Sequence, residues 1–204
     1  MRGRRIAAGA VLVVLGIGSA VSPAAADQRS AAAGPGQRPA AAGTDRHCVV
    51  DVSTAKMTCY TSFRTAIAVA TAGRITDAPQ DARAAAADPT LRRRLAAATP
   101  VKRDGVTAAA TTIGTMYEDR DYDGGTLTYS APSGCTGPTS DLDWQVELIT
   151  PEHWNDEIGS FLAGGNCWLS LFEHRGWGGA STPFTWLDDY LGVLDDEASS
   201  IRWT

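Results

Sequence analysis

Apolar residues are distributed along the chain in distinct regimes, and each predicts a different structure. From Ile6 to Val21 they form an almost unbroken run. Residues 27–44 are mainly Ala, Gly, Pro, Gln and Ser with no periodic apolar face. Such a segment cannot bury enough surface to offset chain ordering, so a disordered tail is expected. Two short stretches, Cys48–Asp51 and Met57–Tyr60, flank polar Ser53 and Thr54 and predict a β-hairpin. Phe63, Ala66, Ile67 and Ala70 then follow the i, i+3, i+4, i+7 spacing of an amphipathic helix over 61–72, with Gly73 as its stop. A second helix is predicted from Asp88 as cap, through Pro89 in the first turn, to Ala98, with Pro100 ending it. Residues 101–110 show no pattern and read as a linker.

The first apolar run gains its meaning from its flanks. Arg2, Arg4 and Arg5 precede it, and Ala24 and Ala26 follow in an A-x-A arrangement, so residues 1–26 read as a signal peptide cleaved before Asp27. The rival, an uncleaved anchor, is disfavoured by Gly9, Gly16, Gly18 and Ser19 and by a run shorter than the roughly 20 residues a span needs. Arg4 and Arg5 are adjacent, which leaves the twin-arginine route open beside the general one. A secreted protein is expected, with no membrane association once the signal is removed. Outside the cytoplasm thiols normally oxidise, and four Cys allow three connectivities. Sequence proximity favours Cys48 with Cys59 and Cys135 with Cys167. Zinc ligation by Cys135, Cys167, His153 and His174 is the rival, weakened by the lack of a C-x-x-C element.

Charge separates the chain into unlike halves. Residues 27–110 carry 12 basic and 7 acidic side chains, whereas residues 111–204 carry 3 basic and 16 acidic. All six Trp lie in the acidic half, so the large side chains able to fill a core are concentrated there. The expected organisation is a hairpin and helical segment over 45–100, a candidate pro-region, and a folded domain over 111–204. Arg92, Arg93 and Arg94 on the second helix suit an anionic contact, for instance with the acidic half; a solvated helix face is the blander reading.

An internal repeat defines the acidic half. Tyr117 to Tyr129 reads YEDRDYDGGTLTY and Phe172 to Phe184 reads FEHRGWGGASTPF, offset by 55 residues. Tyr117 aligns with Phe172, Glu118 with Glu173, Arg120 with Arg175, Tyr122 with Trp177 and Gly124 with Gly179. Further on, NDEIGS from Asn155 to Ser160 matches DDEASS from Asp195 to Ser200. This ordered pair of features resembles the βγ-crystallin family, whose Greek keys begin with an aromatic, Glu, a second aromatic and a Gly in a folded hairpin and later carry a Ser. The resemblance implies an all-β, two-motif Greek-key sandwich over 111–204. The first motif departs from the pattern by 15 extra residues, which include Ser133, Gly134, Gly137 and Pro138 around Cys135.

Many microbial members of that family bind calcium through N/D, N/D, X, X, S/T, S loops, paired between motifs. Carried over, one Ca2+ site would use Glu118, Asp156, the carbonyl of Glu157 and Ser199. The other would use Glu173, Asp196 and the carbonyl of Glu197, with Gly159 where a hydroxyl belongs, so one stronger and one weaker site are expected. The bland alternative is that these residues only stabilise turns. Secreted relatives of this fold include a metalloproteinase inhibitor and a killer-type toxin, which makes a secreted protease the alternative partner and the Tyr129–Trp144 loop its candidate contact. No H-E-x-x-H or G-x-S-x-G is present, so no enzyme is expected. An excess of 13 negative charges argues against nucleic acid. A monomer acting by binding is the expected form.

Overall fold

A computed structural model describes residues 45–97, 101–103, 106–108, 111–137, 141–150 and 152–204. The signal peptide, the tail, Ala98, Pro100 and Pro138 lie outside the described residues. In chain order the elements are β1 (His47–Asp51), β2 (Lys56–Tyr60), α1 (Phe63–Ala70), α2 (Ala82–Ala87), α3 (Pro89–Ala96), β3 (Val101–Arg103), β4 (Val106–Ala108), β5 (Thr111–Tyr117), β6 (Thr126–Ala131), β7 (Trp144–Val146), β8 (Ser160–Ala163), β9 (Leu169–His174), β10 (Gly178–Ser181), β11 (Leu187–Asp188) and β12 (Ser200–Trp203).

Residues 111–204 supply most of two sheets that exchange strands. The first has the order β11-β8-β5-β6-β1-β2 and the second β10-β9-β12-β7. Each motif keeps its first, second and fourth strands in one sheet and sends its third across: β7 leaves the first motif, and β11 leaves the second. That exchange is the Greek-key crossover expected from the repeat. Between the sheets lie Ile113, Met116, Leu127, Tyr129, Trp154, Phe161, Leu169, Leu171, Ile201 and Trp203, all essentially inaccessible. Tyr129 and Trp203 meet edge to face with centroids 5.2 Å apart, an arrangement that sets a positive ring edge against a negative face.

The N-terminal segment is part of this architecture. β1 and β2 form the expected hairpin, bridged by Cys48 and Cys59, which sit opposite each other. β1 also pairs in parallel with β6, His47 beside Thr126 and Asp51 beside Ser130. The first sheet is therefore six-stranded, and the segment expected as a separate hairpin and helical region contributes two of its strands. α1 occupies the predicted position and buries Phe63, Ala66, Ile67 and Ala70. α3 starts as predicted, with the Asp88 carboxylate accepting from the amides of Thr90 and Leu91. α2, capped by Asp81, was not foreseen; its Ala-rich face gives little amphipathic contrast. Residues 101–110, expected to be a patternless linker, contain the antiparallel ribbon β3–β4 instead.

These helices cover the outer face of the first sheet. Phe63, Ile67, Ala85 and Leu91 cluster with Tyr117 and Leu162 from β5 and β8. Thr115, Thr126, Thr128 and Ser130 on the strands are polar, yet they are buried. Their hydroxyls are accommodated by pairing: Thr115 with Thr128 at 3.2 Å, and Ser130 donating to the Val50 carbonyl at 3.3 Å. Arg83 on α2 reaches Asp123 at 3.4 Å, and the Leu95 carbonyl at the end of α3 accepts from the Gly165 amide at 3.0 Å. A chain starting at Thr111 is thus expected to lose stability through exposure of Tyr117 and Leu162, roughly 4 kcal/mol at about 2 kcal/mol per side chain. Urea unfolding of that shortened chain beside the full one measures the loss.

His47 adds a pH dependence. Its Nδ1 lies 3.1 Å from the Thr126 hydroxyl and its ring meets Phe63 edge to face. Burial lowers its pKa, against smaller opposing effects of Asp45 and Asp81. Below about pH 6.5 the unfolded chain then binds more protons at this site than the folded one, so stability falls as pH drops through the folded pKa. Thermal unfolding between pH 7.5 and 5 should show this loss in the natural chain and a flatter profile in His47→Gln.

Candidate functional site: the paired loops of the two Greek keys

The site is built by a hairpin fold that occurs twice. In the first motif Asp121 and Tyr122 adopt left-handed backbone (φ 59° and 64°), and in the second Gly176 and Trp177 do the same (φ 67° and 63°). Gly124 and Gly179 follow at φ 78° and 76°, a region where a Cβ is strained, and a Cβ would also lie 2.9 Å from the Asp119 carboxylate or 2.7 Å from the Glu173 carboxylate. One serine per motif fastens each hairpin. Ser160 Oγ donates to the Asp119 carbonyl at 2.6 Å and accepts from the Tyr122 amide at 3.1 Å. Ser200 Oγ donates to the His174 carbonyl at 2.7 Å and accepts from the Trp177 amide at 3.1 Å.

Because each serine opens the last strand of its motif, the loop before it is held against the hairpin and against the other loop. The Asp156 amide donates to the Ala198 carbonyl, and the Asp196 amide donates to the Ile158 carbonyl, both at 3.2 Å. Asp156 and Asp196 share left-handed backbone, φ 60° and 59°. The two loops therefore clasp each other reciprocally. Ile158 and Ala198, which supply the acceptors, carry no chemical signature in the sequence beyond their places in the repeat.

The expected ligand residues divide within this frame. Asp156 and Ser199, 43 positions apart in the chain, are brought together: Ser199 Oγ donates to Asp156 Oδ1 at 3.1 Å, and Asn155 Nδ2 donates to Asp156 Oδ2 at 2.6 Å. Glu157 follows Asp156 in the same loop. Glu118 and Glu173 are both engaged by their own hairpins, Glu118 Oε2 accepting from the Gly125 amide and Glu173 Oε2 from the Ala180 amide, each at 2.8 Å. Asp196 and Glu197 lie at the exposed turn before β12, with the Glu197 amide bonded to the Leu194 carbonyl. Among the described residues no three His, Cys, Asp or Glu side chains gather closely enough to hold a metal ion by themselves.

The missing hydroxyl of the second site has a packing cause. A Cβ on Gly159 would fall 2.7 Å from the Asp119 carbonyl carbon, 2.8 Å from the Arg120 nitrogen and 2.9 Å from the Glu118 oxygen. The backbone of the first hairpin occupies the place where a side chain would project. Beside it Arg120 pairs with Asp195 at 3.2 Å and stacks over Tyr190 at 4.4 Å, a contact that combines charge with the ring quadrupole. Burial, reinforced by Asp189 and Asp188, pushes the Tyr122 phenol up to about 12. It stays neutral and packs edge to face on Tyr117.

Both expected disulfides are present. Cys135 and Cys167 are bridged, as are Cys48 and Cys59, and there are no free cysteines among the described residues. That removes the thiolates a zinc site would need. The Cys135 bridge anchors the long insertion of the first motif, and Thr136 binds its return: its amide and hydroxyl bond to Asp143, and its hydroxyl also to Asp141 at 2.9 Å.

No family model matches the chain, and no curated protein matches it. Among solved structures, a βγ-crystallin domain from Flavobacterium johnsoniae is 24% identical, covering 45% of this chain and 93% of its own, with a TM-score of 0.33. A βγ-crystallin domain from Clostridium beijerinckii is 18% identical over 45% of this chain and 95% of its own, TM-score 0.34. The Abundant Perithecial Protein domain from Neurospora crassa, determined in its Ca2+-bound form, is 16% identical over 48% of this chain and 94% of its own, TM-score 0.35. Strand exchange, repeated left-handed hairpins and paired serine clamps make residues 111–204 a two-motif Greek-key domain. Over about half of its length the chain is similar to these βγ-crystallin domains.

Two substitutions test the clamp and the closed site. Ser160→Ala leaves a partly buried amide and carbonyl without their shared partner, a loss of about 1–2 kcal/mol that denaturant unfolding should record. Gly159→Ser is expected to destabilise by about 1–3 kcal/mol, because the backbone it meets must shift. By calorimetric titration it should gain no calcium affinity.

Proposed function

We propose that this protein is a secreted βγ-crystallin-type binding protein that holds one calcium ion at the loop pair formed by Asp156 and Ser199, and that it acts as a monomer without catalysis. The observation that carries the reading is the juxtaposition of Asp156 and Ser199 at 3.1 Å from opposite motifs. A hard cation requires several oxygens, some of them charged. Asp156 supplies a carboxylate, Glu157 a carbonyl, Ser199 a hydroxyl and Glu118 its second carboxylate oxygen. Those residue types suit calcium better than any softer metal. The loop pair containing Gly159, Asp196, Glu197 and Glu173 is the weaker candidate, since Gly159 brings no oxygen beyond its backbone and is closely packed.

A second reading, inhibition of a secreted protease, is favoured by the tethered loop. Cys135–Cys167 and the contacts of Thr136 with Asp141 and Asp143 tie down the described parts of the first-motif insertion, and fixing a segment before it binds lowers the entropic cost of entering a cleft.

Thermal unfolding of the full chain in EDTA, in millimolar calcium and in magnesium tests the first reading. A native-state site at a hundredfold excess over its Kd adds about 2.7 kcal/mol, a rise of roughly 5–10 °C for a chain of this size. Asp156→Ala and Ser199→Arg should each remove most of the rise. No rise with calcium would refute the calcium assignment and bring forward an inhibition assay against secreted metalloproteases.

A further inference from the structure

A cavity of about 260 Å3 lies between α3 and the outer face of the first sheet, away from the paired loops. Its wall is mostly apolar, with Leu95 and Ala96 from α3, Tyr117 and Leu162 from the strands and Trp186, and it includes Thr112 and Thr115. Its mouth is basic, because Arg92 and Arg93 also line it. The helix cannot settle into the space. At one end the buried Leu91 is packed in the cluster with Tyr117 and Leu162, and at the other the Leu95 carbonyl is bonded to the Gly165 amide. Just past the second anchor, Ala96 is too short to fill the gap.

The arginines differ in how far they are occupied. Arg94 is paired with Asp77 at 2.9 Å. Arg92 and Arg93 make no ion pair among the described residues; Arg92 stands 6.0 Å from the Trp186 ring centre, and Arg93 bonds only the Thr90 hydroxyl of its own helix. An apolar chamber with guanidinium groups at its entrance suits a molecule with one apolar end and one anionic end. Size narrows the class. An engineered apolar cavity of about 150 Å3 holds benzene, so 260 Å3 accommodates one ring with a short aliphatic chain.

We propose that this cavity is a binding site for a small aryl-alkyl carboxylate, whose ring lies on Tyr117, Leu162 and Trp186 and whose carboxylate meets Arg92 and Arg93. The site is separate from the calcium reading and does not depend on it.

The test is titration of the 15N-labelled full chain with 4-phenylbutyrate, followed by amide shifts, in EDTA and again in calcium. Saturable shifts should centre on Ala96, Ala163 and Gly164. The neutral analogue 4-phenylbutan-1-ol should bind about tenfold more weakly, the difference a charge-assisted hydrogen bond makes. The double variant Arg92→Gln, Arg93→Gln keeps the helix and much of the side-chain volume and should erase the preference for the acid. Leu162→Trp should fill the chamber and abolish binding of both compounds, and if that variant fails to fold, the double arginine variant alone decides. Absence of saturable shifts at millimolar 4-phenylbutyrate overturns the proposal. So does equal binding of acid and alcohol, or a preference for the acid that survives the arginine substitutions.

Discussion

The hydroxyl of one buried serine per motif is the contact on which the rest of the domain depends. Ser160 and Ser200 each bind a carbonyl and an amide of a hairpin whose backbone runs through the left-handed region. Left-handed residues other than glycine are disfavoured, and two in succession persist only where surrounding contacts overdetermine them. The serine supplies that determination and links the first hairpin of the motif to its last strand. Only when both clamps are closed do the loops before them lie close enough for Asp156 and Asp196 to exchange amide bonds with Ala198 and Ile158. The candidate site is a consequence of hairpin folding rather than an addition to it.

Repetition of the architecture does not make its two halves chemically equal. At corresponding loop positions stand Ser199, whose hydroxyl reaches a carboxylate, and Gly159, whose missing Cβ admits the first hairpin's backbone. The corresponding arginines differ too: Arg120 is bound to Asp195 and stacked on Tyr190, while Arg175 reaches Glu147 only at 3.8 Å with both side chains largely exposed. Tight packing in one copy and open chemistry in the other are alternative uses of the same backbone.

Much of the fold was legible because the repeat preserves residues for backbone reasons. Aromatic, glycine and serine positions mark a turn geometry that few other side chains tolerate, and the two disulfides were expected from the number of cysteines and their proximity in sequence. The role of the N-terminal segment was not legible. Parallel pairing of His47–Asp51 with Thr126–Ser130 is non-local, and the Thr and Ser residues of the covered face carry the polarity expected of a solvated one. Period-two patterning cannot distinguish a face wetted by water from one whose hydroxyls are satisfied by partners on a neighbouring strand. α2 was missed because alanine gives no contrast between faces, and the ribbon at 101–108 because three-residue strands are too short to show a period. Within the candidate site, the approach of Asp156 to Ser199 was implied by the loop pattern of the family the chain resembles, but the engagement of Glu118 and Glu173 by hairpin amides depends on rotamers that spacing does not encode.

The strand β1 also changes which edge the first sheet presents. Without it, β6 would present a free row of amides and carbonyls, the kind of edge onto which another chain can add a strand. β1 fills that position from within the same chain, and the edge moves to β2, which is short, bears the exposed Lys56 and is cross-linked to its neighbour through Cys59. The disulfide hairpin is a built-in guard against edge-to-edge aggregation, and it travels with the domain wherever the intact chain goes.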